Sequence, residues 1–153
     1  GKLHVNEQPD PTELGMAVYP GAKLEPKQGD HNDNANVNID MPMFGLKVVA
    51  LKYNTDDSPD KVATYYRQQL HSFGKVVECR GNQGDNENIN KSEEINQPVT
   101  CEKNDPGSDV LTLKVGTRGN QHLAKIEPAG KGSKLTLLYL KAHIRGDEKK
   151  ESL

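Results

Sequence analysis

The sequence predicts an α+β domain in which one main helix lies on an antiparallel sheet of about five to seven strands. Two observations predict it. Residues 56–70, Asp-Asp-Ser-Pro-Asp-Lys-Val-Ala-Thr-Tyr-Tyr-Arg-Gln-Gln-Leu, carry the start signals and the periodicity of a helix, whereas nearly every other structured stretch alternates apolar and polar residues as strands do.

In the helix, Ser58 is placed to cap the free amides of the first turn, and Pro59 follows where a missing N–H costs nothing. Asp60 favours the positive end of the helix dipole. At about 100° per residue, Val62, Ala63, Tyr66, Gln69, Leu70 and Phe73 share one side, and Asp60, Lys61, Thr64, Tyr65, Arg67 and Gln68 share the other. Tyr66 is therefore expected in the core and Tyr65 at its margin, with Gly74 ending the helix in a left-handed conformation. Asp56 and Asp57 then read as turn and cap residues rather than as a catalytic carboxylate pair.

Around the helix, residues 1–15 read as a polar N-terminal linker, 16–145 as the single domain and 146–153 as a flexible charged tail. Tyr19-Pro20-Gly21-Ala22 favours a type II turn, with a short strand at 22–25. Ala35, Val37, Ile39 and Met41 alternate with Asn34, Asn36, Asn38 and Asp40, a strand with one wet face. Residues 46–53 are apolar on both faces, as in a central strand covered by the helix. Beyond the helix, 75–80 and 98–103 read as strands flanking an Asn-rich insertion at 81–97 that has hardly any apolar residues and is expected to be mobile. A strand at 110–115 follows, with a turn at 116–119. The last pair is a hairpin, 122–127 and 134–144, joined by 128–133.

Composition narrows the function. With 153 residues, 33% of them hydrophobic, one domain with a thin core is expected. The formal charge of -2 and the absence of Trp give no footprint for nucleic acid. No apolar run reaches the roughly 18 residues of a membrane-spanning helix, so any membrane association would be peripheral, through an upstream anchor.

Cys79 and Cys101 each close a Val-x-Cys step beside the insertion, and pairing of their strands would let them form a disulfide. That bond implies an oxidising, extracytoplasmic setting, the alternative being two buried thiols in a reducing one. His4, His31, His71, His122 and His143 lack metal-ligand spacing, and no metal or cofactor is expected. Asp30-His31-Asn32-Asp33-Asn34 fails as a calcium loop, because Ala35 and Met41 stand where Gly and Glu are needed. The amide row including Asn36 and Asn38 suits a polar surface such as a glycan, against the plainer expectation of a solvated strand. A pocket between the sheet and Val62, Tyr66 and Leu70 would suit a small-molecule carrier.

The order Tyr19-Pro20-Gly21-Ala22, a strand, then Asp57-Ser58-Pro59-x-x-Val62-x-x-Tyr65-Tyr66-x-x-x-Leu70 resembles small exported or lipoprotein-like bacterial proteins of uncharacterised function. The resemblance covers most of the chain from Met16 to Tyr139 and implies an envelope location, with no catalytic residues to carry over. The expectation is an exported, non-enzymatic binding or interaction module whose partner is an envelope protein or a glycan. A small-molecule carrier and a hydrolase-type enzyme are the alternatives.

Overall fold

The computed structural model describes residues 2–6, 10–26, 34–81, 94–102 and 109–144. In chain order these form β1 (Lys2–Asn6), a 3-10 turn η1 (Pro11–Leu14), β2 (Lys23–Leu24), β3 (Ala35–Asp40), β4 (Phe44–Thr55), α1 (Pro59–His71), β5 (Val77–Cys79), a second 3-10 turn η2 (Glu94–Asn96), β6 (Leu111–Thr117), β7 (Asn120–Ala129) and β8 (Gly132–Ile144). Among the described residues every strand pairing is antiparallel, in the order β1-β3-β4-β8-β7-β6-β5, and the two-residue β2 extends the β3 side of β4. One helix on an antiparallel sheet is the α+β architecture that the periodicities predict.

The helix forms where its cap code places it. The Ser58 side chain accepts from the Lys61 amide at 3.4 Å, Pro59 opens the first turn, and Val62, Ala63, Tyr66 and Leu70 are buried. It packs over β6, β7 and β8, whose Leu113, Val115, Ala124, Ile126, Leu135 and Leu137 are at most 1% exposed. The strand β4 is central as expected, but the helix does not cover it. Its Val49 and Leu51 lie instead beneath η1, which contributes a fully buried Leu14.

Within the segment expected to be a linker, residues 2–6 and 10–15 take part in the fold. β1 pairs with β3 from Lys2↔Asp40 to Asn6↔Asn36, and η1 plugs the core. Its start repeats the helix code in miniature: the Asp10 side chain accepts from the Thr12 amide at 3.1 Å, Pro11 follows, and Gly15 closes the turn. The low apolar content of η1 hides this, since Leu14 is its one buried residue.

The last hairpin is tighter than its composition suggests. Pro128 stands inside β7, opposite Ser133, and only Gly130 and Lys131 turn the chain. A proline is tolerated there because β6 pairs no further than Leu111↔Ile126, so no neighbour needs its missing N–H. Gly132, just after this turn, is required by a close approach, because a Cβ there would stand 2.0 Å from the Thr55 carbonyl oxygen. Gly21 is required by conformation: with φ at 83° and the Ala22 amide donating to the Tyr19 carbonyl at 3.0 Å, residues 19–22 make the expected type II turn.

The second cysteine segment departs from expectation. Of the strand expected at 98–103, the described residues 98–102 form none; Pro98 makes one bridge to Thr117, and the chain then turns against the sheet face opposite the helix, where the Thr100 carbonyl accepts from Lys114 Nζ at 3.1 Å. Cys79 pairs through β5 with β6, so the two cysteine segments do not pair with each other. The disulfide nevertheless joins Cys79 to Cys101, with Cα atoms 5.3 Å apart. Most of the Asn-rich insertion (82–93) and the charged tail lie outside the described residues.

Closing a loop with a sequence separation of 22 stabilises the fold by about 3 kcal/mol in the chain-entropy model. Replacing both cysteines by serine should lower the unfolding free energy by about that amount in urea titration. An unchanged midpoint, or two thiols alkylated without reduction, would contradict the staple.

Candidate functional site

Where β4 leaves the sheet to become the helix, three elements converge on Asp57. The Tyr19 hydroxyl donates to its carboxylate, the Ser133 hydroxyl donates to its carbonyl at 2.8 Å, and its own amide donates to Thr55 Oγ1 at 3.2 Å. The bond to Asp57 raises the Tyr19 pKa, burial adding to the effect. Tyr19 also meets Tyr65 edge to face at 5.2 Å, and Tyr65 meets Tyr66 the same way at 5.0 Å. Tyr66 closes the circuit by donating to the Ala17 carbonyl at 3.0 Å, its own pKa pushed up by burial. The Tyr-Pro-Gly-Ala turn and the Asp-Ser-Pro…Tyr-Tyr helix are thus two halves of one contact.

Outside this contact lies an open cleft of about 560 Å³ lined by Tyr19, Pro20, Asp57, Asp60, Lys61, Thr64 and Tyr65. Its Asp57 is engaged structurally and no histidine lines it. Asp60 and Lys61 give it both signs of charge at the helix start, and Tyr65 gives it one aromatic wall. The helical periodicity places Tyr65 at a core margin, and nothing local in the sequence brings Tyr19 to it.

The other expected site residues are placed as follows. Val62, Tyr66 and Leu70 are each 0% exposed and packed in the core, so the helix–sheet gap expected of a carrier is filled by side chains. Asn36 is 3% exposed, bonded to the Glu13 carboxylate, and accepts from Asn38 Nδ2 at 3.1 Å. Asn34 is likewise buried, its side-chain oxygen accepting from the Lys52 amide at 2.7 Å. The row expected to be wet therefore fastens β3 to η1 and β4. Its amides sit on the helix side of the sheet, where the 10–26 segment needs polar partners.

His122 lies stacked between Phe73 at 4.0 Å and Tyr139 at 4.7 Å. Burial lowers its pKa, and a hydrogen bond to the Leu14 backbone opposes that shift. No group of three or more His, Cys, Asp or Glu side chains suited to a metal occurs among the described residues.

The sheet face opposite the helix has a different character. Strand alternation sends Phe44, Leu46, Val48 and Ala50 of β4 to that side, and the register sets them in rows with β3, β8 and β7. The rows are Phe44 with Ile144; Ile39, Leu46 and Ala142; Val37, Val48 and Leu140, ending in Gln121 of β7; and Ala35, Ala50, Leu138 and Leu123. The next row is polar, with Lys52, Thr136 and Lys125. On the helix face the matching positions Val49, Leu51, Leu135 and Leu137 are sealed at 0% exposure, whereas every side chain in the four apolar rows stays partly open to solvent. Phe44 is 41% and the hairpin residue Met43 65% exposed. Among the described residues it is the β5–β6 end of this face that is sealed, by the stapled segment: Val99, Thr112 and Lys114 are at most 5% exposed and Cys79 is 1% exposed. Soluble monomers rarely expose a contiguous apolar face of this kind.

No protein-family profile, curated protein or solved structure matches this chain.

Two measurements check these contacts. A double-mutant cycle of Tyr19→Phe and Asp57→Ala should return a coupling of about 1 to 2 kcal/mol in unfolding free energy, because the bond joins a hydroxyl to a carboxylate at a part-buried site. Additive effects would remove it from the account. For His122 the sign is that of a base with a depressed folded-state pKa: the unfolded chain binds the proton first, so the contribution is complete above pH 6.5 and is lost as pH falls from there through the folded value. His122→Phe should flatten that part of the stability curve, and an equal acid decline in wild type and variant would refute it.

Proposed function

We propose that the protein is an extracytoplasmic, non-enzymatic interaction module that works through the uncovered apolar face of its sheet. The single observation that carries this is the contrast between the two faces of the same strands: Leu137 is sealed in the core while Leu138 and Leu140 remain open to solvent. Its rows are apolar apart from Gln121, which suits a protein surface better than a glycan, since a glycan needs more polar partners than these rows offer. The disulfide is consistent with an oxidising compartment, and the likeness to exported lipoprotein-like proteins points to the bacterial envelope. Neither the carrier nor the hydrolase alternative has comparable support, because the helix–sheet gap is packed and the one carboxylate shared by three elements, Asp57, is engaged in structure.

Paired substitutions across the sheet test this. Leu137→Lys should unfold the domain, since it buries an unpaired charge, whereas Leu140→Lys should leave the circular dichroism spectrum intact and cost about 1 kcal/mol or less. If Leu140→Lys unfolds the isolated chain as Leu137→Lys does, the face is core and the interaction reading falls.

A further inference from the structure

We infer that the occupant of the uncovered sheet face is a second copy of this chain, the two sheets stacking face to face. This rests on the interaction reading of that face and names its partner.

The chain's own remaining residues are unsuited to the task. In positions 7–9, 27–33, 82–93, 103–108 and 145–153 the only aliphatic or aromatic side chains are Ile89 and Leu153, while the last nine residues carry Arg145, Asp147, Glu148, Lys149, Lys150 and Glu151. Such segments have too little apolar surface to offset the ordering entropy of lying across a sheet.

The size of the face fits a dimer. Four strands at about 4.8 Å spacing and seven residues at about 3.4 Å each give a footprint of roughly 450 Å². The five residues of β1 continue the sheet beyond β3 and raise it to roughly 530 Å². Two facing footprints then come to roughly 1,060 Å², just above the roughly 1,000 Å² that a specific interface needs.

The pattern also fits itself. Two of the four rows set large side chains against small ones, Leu46 beside Ala142 and Leu138 beside Ala50, and this relief suits two sheets interdigitating at about 10 Å. Charge selects the orientation. The row with Lys52 and Lys125 closes one end of the apolar block and exposed Phe44 the other, so stacking with strands antiparallel keeps each lysine row away from its counterpart. Sheets packed in aligned fashion stay within about 30° of each other, which this arrangement permits.

The test is the oligomeric state of the full, disulfide-bonded chain by sedimentation equilibrium. Wild type should sediment at twice the chain mass. A Val48→Lys/Leu140→Lys variant should keep its fold and self-associate at least roughly a hundredfold more weakly. Mixing it with a Val48→Glu/Leu140→Glu variant should restore a heterodimer, an outcome that misfolding cannot produce. A wild-type dimer that survives both lysines would overturn the inference, because association would then use another surface. A wild-type monomer would also overturn it; with Leu140→Lys folded, the interaction reading stands and the occupant is a different protein. Unfolding of Leu140→Lys like Leu137→Lys would remove both.

Discussion

The structure turns on the junction at Asp57. A helix of 13 residues is marginal alone, so α1 owes its position to what holds its entry. That entry is fixed from three directions: from the N-terminal segment by Tyr19, from the start of β8 by Ser133, and from β4 itself by Thr55. Gly132 lets β8 approach the Thr55 carbonyl, and the tight turn at Gly130 and Lys131 brings it there. Once the junction forms, Tyr66 and Tyr65 meet the segment carrying Ala17 and Tyr19, and Leu14 is carried onto β4.

This explains how a chain with a modest apolar share builds a core. The helix and the segment at 10–22 divide one sheet face between them, the helix over β6 to β8 and η1 over β4. Among the described residues nothing comparable lies on the reverse face, where the stapled segment seals the β5–β6 end. Sealing one face and leaving the other apolar rows open makes a domain suited to docking, and the disulfide holds the stapled segment at the edge of the open surface.

Most of the fold was legible because local codes agreed with the tertiary outcome. Ser58-Pro59 started the helix, alternation marked β3 and β6, an apolar run marked β4, a hairpin pattern marked β8, and Pro20-Gly21 turned the chain. What was missed has physical causes. Leu14 is a single anchor in a polar segment, which periodicity cannot register, although Asp10-Pro11 repeated the start code of the helix. Asn34 and Asn36 looked solvated because sequence shows alternation but not which face a neighbouring segment will cover. The Cys79–Cys101 bond was anticipated from paired strands, yet it forms between β5 and a non-strand segment, since compatible Cα separation is all it requires. Apolar character on both sides of β4 was read as double burial. It marks instead one core face and one open face, a distinction that depends on where a single helix lands.

Native-state hydrogen exchange measures the central coupling most directly. If the Asp57 junction makes the 10–22 segment, the helix entry and the sheet one cooperative unit, the amides of Ala22 and Val62, bonded to the carbonyls of Tyr19 and Ser58, will exchange with the same free energy as the β4–β8 ladder. Exchange of those two amides several kcal/mol more easily than the ladder would show that the segment and the helix start open on their own, and the junction would not be what holds the fold together.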